Sequence, residues 1–314
     1  MKKIIAIVLV LVFAFSILAS CEININFDEI ADKIEGLIDN GMEDSGNSGN
    51  SENSGNTGNS GNSGNSGNSD NSGNSGNSGS TEDDGLRYRF NDSDKTAVLA
   101  QYDFDAENVV IPSNAYGYTV IKIDGSTFYG KSMKSVTIPE TVTEIGVGAF
   151  KSCASLKTVT IPSGVKTIGQ RCFEECTALE EVFINDSVTS IGEYCFQKCY
   201  SLKSVRLSEN LEVIERGMFA KCTALKNFDF LDGIKEVGAF AFSFCTALNY
   251  VSLPNTLTSI GESAFEGCKA LSEIYFSGYT SEWANVSKGR SWKYNDPKTT
   301  IYVHCTNANI AVSE

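Results

Sequence analysis

Histidine occurs once in this chain, tryptophan twice and proline five times. The lone histidine, His304, leaves no H-E-x-x-H metal site, and no Ser-His-Asp set assembles around it in sequence. Phosphate-loop and dinucleotide glycine motifs are missing too. No cysteine pair has the C-x-x-C spacing of a zinc site; the nearest are Cys172/Cys176 and Cys195/Cys199. Basic residues are in deficit, 25 Lys and Arg against 39 Asp and Glu, for a net charge of −14. That balance argues against nucleic acid or anionic lipid as the main partner. The longest apolar run, Ile4 to Ile17, is too short for an ordinary membrane span. Carboxylate pairs such as Glu174/Glu175 and Glu180/Glu181 read as solvated turns. The expectation is a protein that is not an enzyme and uses no cofactor, metal or small-molecule substrate.

The N-terminal run follows Lys2 and Lys3 and ends in Leu18-Ala19-Ser20-Cys21. Residues 1–20 therefore read as an export leader and stay outside the fold argument. The LASC sequence resembles a bacterial lipobox, which implies lipidation of Cys21; an ordinary signal peptide with a chance cysteine is the alternative. Each buried acyl CH₂ would add about 0.8 kcal/mol of membrane attachment. Loss of Lys2 and Lys3 takes the net charge from −14 to −16. In the lipidated N-terminal segment, 21–42, Phe27, Ile30, Ile34 and Leu37 recur at helical spacing. A helix this short is barely stable alone. Residues 43–85 are almost pure Asn-Ser-Gly triplets with nothing apolar to offset the entropy of ordering. They read as a flexible tether of roughly 35 Å root-mean-square span.

From Met133 onward one unit recurs every 23 residues, led by Met133, Leu156, Leu179, Leu202, Leu225, Leu248 and Leu271. A fixed period of about 20–29 residues with paired aliphatics marks a leucine-rich-repeat solenoid, in which each unit buries its apolar face on its neighbours. Six complete units occupy 133–270. Alternation in Leu156-x-x-Val159-x-Ile161 predicts a short strand with one buried face. A second aliphatic pair follows, as in Val165/Ile168, then a glycine (Gly146, Gly169, Gly192, Gly238, Gly261) that fits either a positive φ or a close backbone approach. Unit 202–224 carries Glu215 there. A phenylalanine closes each rung: Phe150, Phe173, Phe196, Phe219, Phe242 and Phe265. Stacked, these form a core spine, each ring burying on the order of 150–200 Å².

Six cysteines, Cys153, Cys176, Cys199, Cys222, Cys245 and Cys268, hold one position per unit, and Cys172 and Cys195 replace the small residue before the phenylalanine. Cysteine is a small, buriable residue with a weak S–H donor, so the ladder reads as free thiols offering that donor to backbone carbonyls. One or two disulfides remain open, but with Cys21 set aside the number is odd, and full pairing within one chain is impossible.

The pattern I-P-x-x-V-x-x-I-G-x-x-A-F-x-x-C resembles the BspA-like leucine-rich repeat family in its spirochaete-type, 23-residue form. Leu86 to Phe90 and Val109 to Pro112 resemble its N-terminal β-rich cap and irregular first unit, over 86–132. The segment 271–305, with Trp283, Trp292 and His304, resembles its C-terminal repeat and cap, leaving 306–314 as a tail. The resemblance implies a right-handed solenoid of short parallel strands, one per repeat, between two caps. It also implies a secreted or surface protein; several members are implicated in adhesion to host matrix proteins, cells or other bacteria.

Alternation on the first strands also predicts what faces solvent. That ladder reads Ser135/Thr137, Thr158/Thr160, Glu181/Phe183, Ser204/Arg206, Asn227/Asp229, Tyr250/Ser252 and Glu273/Tyr275. Aromatics and arginine are enriched at binding hot spots. Phe183, Arg206, Asp229, Tyr250 and Tyr275 are therefore the candidate ligand-binding residues; the alternative is lateral packing of β-favouring side chains. The functional expectation is a lipid-anchored protein, at the outer membrane or cell surface, that binds host or bacterial surface proteins. A periplasm-facing, lipid-anchored envelope scaffold is the alternative.

Overall fold

A 23-residue unit with two short apolar strands and a tight turn has no buried interior of its own, so its strands must find partners one period away. In the computed structural model residues 84–293 and 300–312 are described. The leader, Cys21, the 21–42 segment and the triplets up to residue 83 lie outside the described residues.

The chain opens with β1 (Leu86–Asn91), β2 (Thr96–Tyr102), β3 (Asn108–Val110), β4 (Asn114–Ala115) and β5 (Tyr118–Ile123). The repeats follow as β6 (Ser135–Thr137), β7 (Glu144–Ile145), β8 (Thr158–Ile161), β9 (Thr167–Ile168), β10 (Glu181–Ile184), β11 (Ser190–Ile191), β12 (Ser204–Arg206) and β13 (Val213–Ile214). They continue as β14 (Asn227–Asp229), β15 (Glu236–Val237), β16 (Tyr250–Leu253), β17 (Ser259–Ile260) and β18 (Glu273–Phe276). The end is α1 (Thr280–Asn285), β19 (Ser287–Lys288), β20 (Ile301–His304) and β21 (Asn309–Val312). First strands pair in parallel in the orders β8-β10-β12 and β14-β16-β18-β20. Second strands pair in the orders β5-β7-β9-β11 and β13-β15-β17-β19. The fold is a leucine-rich-repeat solenoid, as expected.

Both ends are closed by antiparallel pairs, β1 with β2 and β20 with β21. Such closure stops a parallel stack from presenting its own repeat edge to another chain. Strand β21 lies inside the segment expected to be a tail. Gly85, placed in the tether by composition, is buried against the cap with its carbonyl accepting from the Asp103 N–H.

The phenylalanines stack as a spine. Ring centroids from Phe128 through Phe150, Phe173 and Phe196 to Phe219 step by 5.0, 5.2, 5.5 and 5.6 Å with planes within 6° of parallel. Tyr102 covers the first ring at 5.2 Å and Trp292 meets the last, Phe265, edge-on at 6.5 Å. Each ladder cysteine donates its S–H to the carbonyl of the phenylalanine one unit back, from Cys153 on Phe128 (3.0 Å) to Cys268 on Phe242 (3.0 Å). All eight cysteines from Cys153 to Cys268 are free and buried. Burial in an apolar column disfavours the thiolate, so Cys153, Cys195 and Cys268 are pushed up to about 12.

For the repeat glycines the structure selects close approach over positive φ. A Cβ at Gly192 would lie 2.3 Å from the Gln170 nitrogen, and one at Gly238 2.7 Å from the Arg216 nitrogen. Glu215 has that Cβ, and its rung stands off. Elsewhere the second-strand ladder repeats two bonds, Thr189 N–H to Lys166 O and Gly192 N–H to Ile168 O, then Lys235 N–H to Glu212 O and Gly238 N–H to Ile214 O. Between β11 and β13 neither counterpart forms, and a cleft of about 400 Å³ opens there, lined in part by Thr189, Asn210, Glu212 and Glu215. One unit on, Phe228 and Phe230 replace the smaller inward aliphatics. Phe228 sits 4.8 Å from the Phe242 ring, the Phe219–Phe242 pair tilts to 26°, and β12 and β14 do not pair. Unit 202–224 is thus joined upstream by its first strand and downstream by its second. The turn column runs through unbroken, Tyr194 N–H donating to Arg216 O.

Candidate functional site

The outward positions of β14, β16, β18 and β20 form two rows in strict register. One row is Asn227, Tyr250, Glu273 and Tyr302; the other is Asp229, Ser252, Tyr275 and His304. Neighbouring strands lie about 4.8 Å apart, so side chains along a row touch. Tyr250 meets Tyr275 edge-on, centroids 5.8 Å apart, and Tyr275 stacks on the His304 ring at 4.9 Å. Asn227 Nδ2 donates to the Tyr250 hydroxyl at 2.7 Å. His304 Nε2 is in close contact with the Glu273 carboxylate. That hydrogen bond raises the His304 pKa above its ordinary value by favouring the charged ring. Tyr275 is thus flanked within the sheet by Tyr250 edge-on and by His304 face to face, and Tyr275 and Tyr302 each remain 45% exposed.

Of the five candidate residues the structure brings three together. Asp229, Tyr250 and Tyr275 share this sheet. Phe183 and Arg206 sit on β10 and β12, across the break between β12 and β14. Phe183 is exposed. Arg206 is occupied: its guanidinium donates to the Ile184 carbonyl at 3.1 Å and to Asp186 at 3.0 Å. Tyr250 and Tyr275 do pack laterally on one another, the alternative posed for these positions, while Tyr275 also keeps 45% of its surface exposed.

His304, Tyr302 and Glu273 are not among the candidate binding residues that the sequence offers. The cap insertion that carries α1 and β19 lengthens the step from β18 to β20 beyond 23 residues, so His304 falls off the repeat count although it is in register with Tyr275. A second alternation, Ile301-x-Val303 beside Tyr302 and His304, was the available signal. Of the carboxylates read as solvated turns, Glu174 needs correction, and Glu181, though exposed, lies on strand β10 and not in a turn. Glu174 is buried and pairs with Lys151 Nζ at 2.8 Å, one unit back. Glu175 pairs with Lys198 at 2.5 Å and Glu180 with Lys203 at 2.6 Å, each one unit away. Among the described residues no group of three His, Cys, Asp or Glu side chains converges as metal ligands.

Several solved structures are similar to this chain. The T. pallidum leucine-rich repeat protein is 25% identical, over 67% of this chain and 85% of its own, with a TM-score of 0.49. A leucine rich cell surface protein from Faecalibacterium prausnitzii is 23% identical, over 66% and 97%, with a TM-score of 0.36. The pneumococcal vaccine antigen PcpA is 17% identical, over 70% and 80%, with a TM-score of 0.38. A comparison with curated proteins finds no match. The profile of the BspA type leucine rich repeat region matches in 6 copies, over residues 121–239 and 214–287, together more than half of the chain. With that match over the same units that build the spine and the two strand ladders, the chain belongs to the BspA-type leucine-rich-repeat family.

Proposed function

We propose that this protein is a lipid-anchored cell-surface protein whose solenoid binds a protein ligand on the outer face of β14, β16, β18 and β20. The observation that carries the reading is the Tyr250–Tyr275–His304 cluster, rings packed on one another with Tyr275 left 45% exposed. Rings pre-ordered in this way lose little side-chain entropy on binding, which is why tyrosines on rigid strands make effective anchors. The Cys21 lipobox and the Asn-Ser-Gly tether support presentation away from a membrane. Leucine-rich-repeat proteins in general work by binding, and nothing in this face supplies a nucleophile with its base.

The test has two arms. Intact cells are treated with protease and probed for the repeat domain; rapid release is expected, since the tether is the most cleavable segment. The released domain is then screened against host matrix and bacterial surface proteins, alongside a Tyr250→Ala/Tyr275→Ala variant. Ligand affinity should fall at least tenfold in that variant with an unchanged melting temperature. Protection until the envelope is permeabilised would refute the surface placement and favour a periplasm-facing scaffold.

A further inference from the structure

The face described above has a definite chemistry. Its outward positions from β14 to β20 hold two carboxylates, Asp229 and Glu273, and three tyrosines, Tyr250, Tyr275 and Tyr302, but no lysine or arginine. Farther along, from β8 to β12, the one outward cation is Arg206, already held by Asp186. Asp229 is exposed at the margin of the ring cluster, one strand position from Ser252 and two from Tyr275. The chain as a whole is at −14.

We infer that this face recognises a lysine- or arginine-rich segment of its protein partner, an inference that rests on the function proposed above. Long basic side chains suit such a surface in both halves. Their aliphatic stems lie against the exposed ring surface, and their charged heads reach the tyrosine hydroxyl oxygens and the Asp229 carboxylate. The negative field of the whole chain draws such a segment in and repels an acidic one. A neutral segment would use the rings alone and gain nothing from Asp229. Glu273 is partly spoken for by His304, so Asp229 is the carboxylate on which the sign of the partner turns.

The experiment measures binding of the full mature chain to three labelled twelve-residue peptides, one rich in Lys and Arg, one rich in Glu and one of Ser and Gly, by fluorescence anisotropy at low and high salt. Binding of the basic peptide only, weakened at high salt, is expected. Asp229→Asn and Tyr275→Ala should each reduce its affinity about tenfold or more. Glu262→Gln removes the same charge from the exposed turn before Phe265, on a different part of the rung, and should change it by less than about twofold. Melting temperatures of all variants confirm the fold. Equal losses in Asp229→Asn and Glu262→Gln would reduce the effect to net-charge attraction and overturn the inference, as would failure of the basic peptide to bind. A protein ligand lost with Tyr275→Ala but indifferent to Asp229→Asn and to salt would overturn the cationic partner while leaving the binding face intact. A ligand indifferent to Tyr275→Ala would overturn both.

Discussion

Glu215→Gly should stabilise this protein, although glycine is ordinarily the more costly residue. At six equivalent rungs a glycine lies so close to the preceding backbone that a Cβ would clash, at 2.5 Å from the Val147 nitrogen for Gly169, for example. Removing the Glu215 side chain lets the rung settle and allows two backbone bonds, Glu212 N–H to Thr189 O and Glu215 N–H to Ile191 O, that now fail. At about 0.5–1.5 kcal/mol each, less about 1 kcal/mol for the glycine, the net gain centres on about 1 kcal/mol, within a range of roughly 0–2 kcal/mol. For a domain of this size the central value corresponds to a melting temperature about 2–4 °C higher. The gain depends on pH in a definite direction. Burial, with Glu193 and Glu236 nearby, raises the Glu215 pKa in the folded state above its unfolded value. Its contribution is therefore most favourable below the unfolded pKa and is lost as pH rises through the folded one. The variant's advantage should be larger at pH 7 than at pH 4. Calorimetry gives the melting temperatures, and hydrogen exchange should show new protection at the amides of residues 212 and 215. An unchanged or lower melting temperature at pH 7, with those amides still exchanging freely, would refute the argument that the Glu215 side chain holds β11 and β13 apart.

Phe196→Ala removes a fully buried ring between Phe173 and Phe219 and should cost about 3–5 kcal/mol in urea denaturation, whereas a loss under 1 kcal/mol would mean that the spine does not hold the rungs together. Among the nine described cysteines, native thiol labelling should modify at most Cys305, since the ladder thiols are buried and their pKa values raised; fast modification of any of those eight without denaturant would contradict the packing. His304 is the lone histidine, so its ring resonances titrate without overlap in proton NMR. Its pKa should lie above about 6.5 and fall in Glu273→Gln, because the Glu273 carboxylate stabilises the charged ring. The same pair stabilises the fold fully below the unfolded histidine pKa and loses that contribution as pH rises through the folded value; identical titration curves in the two proteins would rule the contact out.

Periodicity carries most of the fold, for a physical reason. In a solenoid every contact is made with the same position one unit away, so a repeated residue in sequence is a repeated contact in space. Phe150 stacking on Phe173, and Cys176 donating to the Phe150 carbonyl, are the 23-residue spacing made visible. The same logic accounts for the misses. His304 was passed over because the C-terminal cap interrupts the count, and Glu174 was misplaced because a turn carboxylate and a buried ion pair look alike without knowing where Lys151 lies.

By itself the sequence determined the unit, its two buried stripes, the spine, the thiol ladder and the alternation that turns Tyr250 and Tyr275 outward. It also marked unit 202–224 as irregular. Tertiary structure alone decided what that irregularity does. A Cβ at position 215 meets backbone only in the stacked rung, and two extra rings at Phe228 and Phe230 displace a strand only when packed against Phe219 and Phe242. The result is a ladder that steps from one sheet to the next in the middle of the solenoid. It leaves Phe183 and Arg206 on one side and joins Tyr250, Tyr275, Glu273 and His304 on the other. A repeat specifies its neighbours, but where the repeats are unequal, side-chain volume and the closing cap decide which residues end up sharing a face.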